Sequence, residues 1–187
     1  LGAANECLVI LKSKDGGATW TTAKFDESAK TASVRALVIS GRNPKALYFS
    51  GFVTLGDDGY LRNRVLRSLN GGAGWTPVTV PLLADTSKLY TRPTAVAIDP
   101  QDHKKVFIAH EKGVVRSTDG GATWTAQQTP KEFNAGSIAV DPSDGKTLLS
   151  QSANVRDDRG CYRSADGGAT WTKSKSGVYG IGRCIVV

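Results

Sequence analysis

The sequence predicts an all-β fold of repeated four-stranded antiparallel blades, a β-propeller architecture, and three observations carry that reading. One eight-residue motif recurs four times in phase, the segments between copies read as short strands joined by polar turns, and no stretch keeps the 3.6-residue apolar period of a helix. The 187 residues are 40% hydrophobic and 22% charged, enough apolar material for a packed core and too much for wholesale disorder. The longest aliphatic runs, such as residues 8–11, are far too short to span a bilayer, so membrane insertion is not expected.

The chain opens on Leu1 and contains no Met, which reads as a processed or excised piece whose targeting signal lies outside it. The first motif copy places Ser13, Asp15, Gly17 and Trp20; the second Ser68, Asn70, Gly72 and Trp75. The third places Ser117, Asp119, Gly121 and Trp124, and the fourth Ser164, Asp166, Gly168 and Trp171. The tryptophans follow one another at 55, 49 and 47 residues, and no other Trp exists in the chain. Each copy suits a tight hairpin turn. A short Asp or Asn side chain accepts bonds from backbone N–H groups just ahead of it, and the paired glycines supply positive-φ positions. Thr then re-enters a strand, and Trp offers a flat apolar surface. Gly74 in place of Thr weakens the second copy.

The intervening segments repeat as well. Inner strands are expected at 34–39, 94–98 and 137–140, each followed by a polar turn and a second strand at 46–49, 105–108 and 147–149. A third strand enters each motif at 7–12, 64–67, 113–116 and 160–163, and a fourth leaves from each Trp. Four strands per unit of roughly 50 residues is the pattern of propeller blades. Whole blades are expected over about 34–80, 94–128 and 137–175 within a single unit spanning 1–187. Residues 1–33 supply part of another blade, and 182–187 match an inner strand, with Arg183 aligned on Arg35. The ends either meet in a small ring or form an arc of a larger propeller; the arc is favoured.

The S-x-D-x-G-x-T-W pattern resembles the Asp-box, or BNR, repeat of β-propellers found in sialidases, xyloglucan-cleaving glycosidases, sortilin-type receptors and a photosystem II assembly factor. That resemblance covers the whole chain and implies the fold. It implies little about activity, because the architecture hosts unrelated functions. It also implies that the box tryptophans pack between blades rather than stack on sugars, and it favours an exported protein: secreted, periplasmic or on the cell surface.

Candidate chemistry is sparse. The box aspartates lie about 50 residues apart, whereas a hard cation needs six to eight clustered oxygens, so they read as turn closers and no metal or other cofactor is expected. Arg42, Asn43 and Pro44 match the R-x-P letters of sialidases but fall in a turn, with no Tyr–Glu pair beside them. Resemblance to the xyloglucan-cleaving enzymes points to Glu111 and Asp158, in turns just before third strands, as weak candidate acids. Paired carboxylates held about 5–9.5 Å apart run glycoside hydrolysis, but neither turn keeps the family's paired glycines, and solvated turn carboxylates are favoured. The loops on the face opposite the boxes hold Phe25, Tyr60, Tyr90, Phe133 and Tyr179 among Arg35, Arg62, Arg64, Arg92, Arg156, Arg159 and Arg183. Of these, Arg35, Arg92, Arg183, Tyr60, Tyr90 and Tyr179 are the expected binding residues, since aromatics with fork-shaped donors suit glycans or acidic protein surfaces. His103 and His110 are too isolated to form a metal site or triad. Cys7, Cys161 and Cys184 sit on strands that do not face each other and are read as free and buried. The net charge of +7 is dispersed, and no nucleic-acid-binding pattern accompanies it, so nucleic acid is not an expected partner. The expectation is a non-catalytic binding or assembly module for a glycan or protein. Self-association, or association with the remainder of a larger propeller, is a further possibility, and a glycoside hydrolase part is the alternative.

Overall fold

The computed structural model describes residues 9–24, 29–55, 61–81, 92–131, 133–153 and 160–174. These form strands and turns, with no α-helix among the described residues. The first sheet has two strands, β1 (Val9–Lys12) and β2 (Thr21–Lys24). Three antiparallel four-stranded sheets follow, and each is laid out in sequence order. One holds β3 (Ala29–Ile39), β4 (Leu47–Leu55), β5 (Leu61–Ser68) and β6 (Thr76–Pro77). The next holds β7 (Pro93–Ile98), β8 (Val106–His110), β9 (Gly113–Ser117) and β10 (Thr125–Ala126). The last holds β11 (Ala139–Val140), β12 (Leu148–Gln151), β13 (Cys161–Ser164) and β14 (Thr172–Lys173). This is the all-β propeller arrangement that the repeat predicts. β3 starts ahead of residue 34, and β4 runs well past 49, because Gly51 pairs across both neighbours instead of ending the strand.

Burial follows position in the sheet. The second strands lie between two partners and between two sheets, so every residue of β8 is buried and Leu47 to Thr54 of β4 are buried too. The outermost strands are two residues long and exposed, and Pro77 sits on one of them, which blunts an edge that would otherwise invite pairing. Apolar side chains alternate between the two sheet faces and so build a core layer at each seam. Ile10 meets Phe49, Val53 and Leu66 at the first seam. Tyr48 and Val65 meet Val96, Ile108 and Trp124 at the second. Phe107 and Val114 meet Phe133, Tyr162 and Trp171 at the third.

The tryptophans of the last three boxes therefore face backward, each onto the preceding sheet. Trp124 and Trp171 are 7% and 4% exposed, while Trp75, behind which stands only the two-stranded sheet, is half-buried. Trp20 is 60% exposed, contrary to the expectation that every box Trp packs between blades. No described sheet precedes it. Phe133 also departs from expectation: it lies in the link between β10 and β11, as expected, but as a core residue, 2% exposed and stacked on Tyr162 at 4.0 Å.

Candidate functional site

Each sheet has two ends. At one end lie the boxes and the turns joining first to second strands. At the other lie the turns joining second to third strands and the links to the next sheet. The box end is occupied by its own bonding. In the third box, Ser117 Oγ donates to Asp119 Oδ1 (2.8 Å) and accepts the Gly121 N–H (2.7 Å), while Asp119 accepts the N–H and hydroxyl of Thr123 (2.9 and 2.6 Å). The first and fourth boxes repeat this, and these bonds hold the Asp15 and Asp166 carboxyls down at about 2. In the second box, Asn70 Oδ1 accepts the Gly74 N–H (2.8 Å), but Gly74 has no hydroxyl to add. Arg42, of the R-x-P triplet, spends its guanidinium on the neighbouring turn, donating to the Pro100 carbonyl (2.8 Å) and to Gln101 (3.0 Å). A cavity of about 260 Å³ at this end is lined by Tyr48, Arg67, His103 and Asp119. Three of these are already committed, Tyr48 Oη and Arg67 Nη1 to the Gly120 carbonyl (2.7 and 2.9 Å) and Asp119 to its turn, so the cavity is secondary to the surface at the other end.

That opposite end brings three of the expected residues together. Arg35 is the extra residue of a β-bulge: Val34 pairs with Gly51 and Ala36 with Ser50, leaving Arg35 unopposed on β3. The same one-residue slip occurs at Thr94 on β7, and the inner strand of the last sheet slips between its Ala135–Ser152 and Ala139–Leu149 pairs. The Arg35 guanidinium lies over the Phe52 ring at 5.4 Å, and that of Arg92, just before β7, lies over the same ring at 5.5 Å. Both cations are held at one aromatic ring by its quadrupole. Glu111, in the β8–β9 turn, completes the cluster. Burial pushes its carboxyl up, and the Arg92 charge opposes that shift without cancelling it. Beneath, His110 is fully buried, its Nδ1 accepting the Lys112 N–H (2.9 Å), while burial and the Lys112 charge lower its pKa to about 4. His110 is thus a neutral core residue.

Phe52 is the member that sequence reasoning missed, because the second strand was expected to stop at 49; the strand-favouring run Phe52, Val53 and Thr54 past Gly51 was the available signal. Asp158, Arg183, Tyr60, Tyr90 and Tyr179 lie outside the described residues, as do Phe25, Arg156 and Arg159, Cys7 and Cys184, and the strand expected at 182–187. Cys161 is free, as expected, but half-buried. Among the described residues no cluster of His, Cys, Asp and Glu has the make-up of a metal site.

A family model described as sortilin, neurotensin receptor 3 (Sortilin-Vps10) matches residues 63–184, well over half of the chain. The chain belongs to the Sortilin-Vps10 family. No curated protein matches it. Among solved structures it is similar to a GH74 enzyme of Niastella koreensis, with 23% identity and a TM-score of 0.61 over 87% of this chain and 26% of that one. It is also similar to YCF48 bound to D1 peptide, with 20% identity and a TM-score of 0.51 over 76% of this chain and 39% of that one. A Trypanosoma rangeli sialidase mutant displaying trans-sialidase activity aligns at 18% identity and a TM-score of 0.50, covering 89% and 32% of the two chains. At such identities what is shared is the propeller fold, and this Sortilin-Vps10 chain spans well under half the length of each of the three.

Proposed function

We propose that this chain is a non-catalytic binding or assembly module that receives an acidic segment of a protein partner across the Arg35–Phe52–Arg92 cluster. The observation that carries the reading is the pair of guanidiniums over one ring at the end opposite the boxes. At Arg35, stacking occupies a flat face of the guanidinium and leaves its in-plane N–H fork for a carboxylate, while Arg92 adds positive charge beside it. The peptide bound by YCF48, a structure of the same fold, supports a protein partner over a glycan. Export to the periplasm, cell surface or medium is part of the same proposal. So is the idea that Arg183, Tyr60, Tyr90 and Tyr179 add to this face.

The test is binding of a fluorescein-labelled decapeptide rich in Glu, read by anisotropy at low salt. Arg35→Glu with Arg92→Glu should weaken it at least tenfold while changing stability by no more than about 2 kcal/mol, the worth of two part-exposed cation–π contacts. Equal affinity in the double variant rejects the reading. The alternative, a glycosidase part, draws on the GH74 likeness and on the raised Glu111 carboxyl, with Asp158 as the second acid. Release of reducing sugar from xyloglucan that Glu111→Gln abolishes would establish it instead.

A further inference from the structure

The seams between sheets are latched in one repeating way. In the first three boxes the residue just before the box serine donates from its side chain to the carbonyl of the first glycine in the next box. Lys12 Nζ reaches Gly71 O at 2.8 Å, Arg67 Nη1 reaches Gly120 O at 2.9 Å and Arg116 Nη1 reaches Gly167 O at 2.9 Å. The N–H of the same glycine is tied inside its own sheet. Gly71 donates to the Lys45 carbonyl (2.9 Å), Gly120 to that of Lys104 (2.8 Å) and Gly167 to that of Lys146 (2.9 Å). A closed seam therefore holds this glycine from both sides, and the residue directly ahead of it is the box Asp or Asn.

A backbone nitrogen that follows Asp or Asn closes a five-membered ring on the side-chain Cγ when that carbon carries a group able to leave. In the first, third and fourth boxes it carries an ionised carboxylate, which offers none. The turn keeps it ionised, through bonds that hold the Asp15 and Asp166 carboxyls at about 2 and the Asp119 carboxyl well below the usual range. Asn70 has no such protection, because its amide does not ionise and leaves as ammonia. Of the six asparagines in the chain it alone precedes a glycine, the residue with no side chain to hinder ring closure. It is exposed, and its Oδ1 accepts the Ser68 hydroxyl (2.9 Å) and the Gly74 N–H (2.8 Å). Its Nδ2 lies 3.2 Å from where a Gly74 Cβ would stand, the position from which Thr19, Thr123 and Thr170 bond their acids.

We propose that Asn70 is a deamidation site gated by the first seam, closed while Lys12 and the Lys45 carbonyl hold Gly71 and open when the β1–β2 sheet lifts away. In the open state the Gly71 N–H gives its proton to solvent base, the nitrogen bonds to Asn70 Cγ, and the Cγ–Nδ2 bond breaks to release ammonia. One water then opens the succinimide. Cleavage of the new Cγ–N bond leaves an aspartate at position 70, the residue type the other three boxes carry. Cleavage at the main-chain carbonyl leaves an isoaspartate, with the chain running on through Cγ. Water is the only reactant consumed. The isoaspartate adds a carbon to the main chain inside a turn whose Ser68 Oγ accepts the Gly72 N–H at 2.8 Å, so the box loses its shape and Lys12 its fixed carbonyl. Opening of the seam is thereby written permanently into the chain. Sheets open and close far faster than the ring forms, so the folded rate is the rate of the free turn multiplied by the fraction open.

The experiment ages the chain in mildly alkaline buffer below its melting temperature and follows the tryptic peptide 68–88, in which Asn70 is the one amide side chain. Mass spectrometry reads the exchange of amide for acid, and electron-transfer fragmentation tells isoaspartate from aspartate. In urea the site should convert as fast as a synthetic peptide of residues 68–75, and in the folded chain at least about tenfold more slowly. Lys12→Ala should speed the folded rate about fivefold or more, as expected for one charge-assisted bond lost from a part-exposed latch. Lys12→Arg, which keeps the latch, should restore the parent rate. Arg116→Ala, the same loss at the third seam, should leave the rate within about twofold. Melting curves establish that each variant is folded. A folded chain that converts as fast as the synthetic peptide overturns the proposal, and so does a folded Lys12→Ala chain no faster than its parent. Equal acceleration by Lys12→Ala and Arg116→Ala also overturns it, since the site would then open only by global unfolding.

Discussion

A box tryptophan is worth what stands behind it. Trp124 and Trp171 press on complete sheets and close their own turns by donating Nε1–H to the Gly121 and Gly168 carbonyls, both at 3.1 Å. Replacing either by Ala should destabilise by about 3–5 kcal/mol, the usual loss for a large core side chain. Trp20→Ala, in dilute protein, should stay within about 0.5 kcal/mol, as for a surface change. Equal losses at Trp20 and Trp124, read by urea unfolding, would mean that the indole acts through its own turn and not through the seam. The glycines make a parallel case. Gly16 and Gly121 both hold positive φ, but a Cβ at Gly16 meets open space while one at Gly121 comes within 2.9 Å of the Tyr48 ring. Gly16→Ala should therefore cost only the left-handed strain, about 1–2 kcal/mol, and Gly121→Ala should cost clearly more because the seam must also shift. The four-fold motif made the turns legible residue by residue, since Ser, Asp and paired Gly act locally. The unequal burial of four identical-looking tryptophans was not legible, because it depends on which neighbouring sheet is present and not on the motif.

At the scale of strands and turns, two groups of titrating residues separate in pH. His110, at the end of β8, has a folded pKa of about 4 against 6.5 when free, so the unfolded chain takes up a proton that the folded chain refuses. Stability contributed by the neutral ring is complete above 6.5 and falls as pH drops toward 4, by about 3 kcal/mol in all. The box carboxylates act lower down. Asp15 and Asp166 move from 3.8 to about 2, and Asp119 moves in the same direction, so the stability they give is present above 3.8 and is lost as pH falls through that range. Melting temperature against pH should show two descending limbs; His110→Gln should flatten the upper one and Asp119→Asn part of the lower one. An upper limb unchanged in His110→Gln would assign it to another group. Strand identity was largely readable from the alternation and the turn residues. The cluster around Phe52 was not, because bulges carry no signature in a single sequence. The slip at Arg35 lies between Val34 and Ala36, two residues fit for an uninterrupted strand. What the sequence did offer was the gathering of Arg35, Arg92 and Glu111 at one end, which followed from topology once the strands were placed in order.

Among the described residues the sheets follow one another as an array in which each core layer joins one sheet to the next, so its stability is read as a sum of sheet terms and seam terms. The seams are not equal. The first joins a two-stranded sheet through a small cluster around Ile10, whereas the second and third join complete sheets with buried tryptophans. Amides of β8, inside a strand buried along its whole length, should exchange only through global unfolding, while those of β1 and β2 should exchange through a cheaper local opening. The latches tie these levels together. Arg67→Ala removes a charge-assisted bond to the Gly120 carbonyl across the second seam, worth about 1.5–3 kcal/mol, and leaves that carbonyl without its guanidinium. Protection should then drop by a similar free energy on both sides of that seam, in β4 and β8 alike. Protection at β12, one seam further on, should fall less if sub-global opening has become the cheaper route. Arg116→Ala should mirror this at the third seam, and the two losses should add, because the substituted residues share no partner. Hydrogen exchange followed by mass spectrometry resolves the sheets well enough to decide. A uniform drop in protection from β1 to β14 after either substitution would show a single cooperative block instead of an array, and the latch would then be one contact among many rather than the joint that couples neighbours.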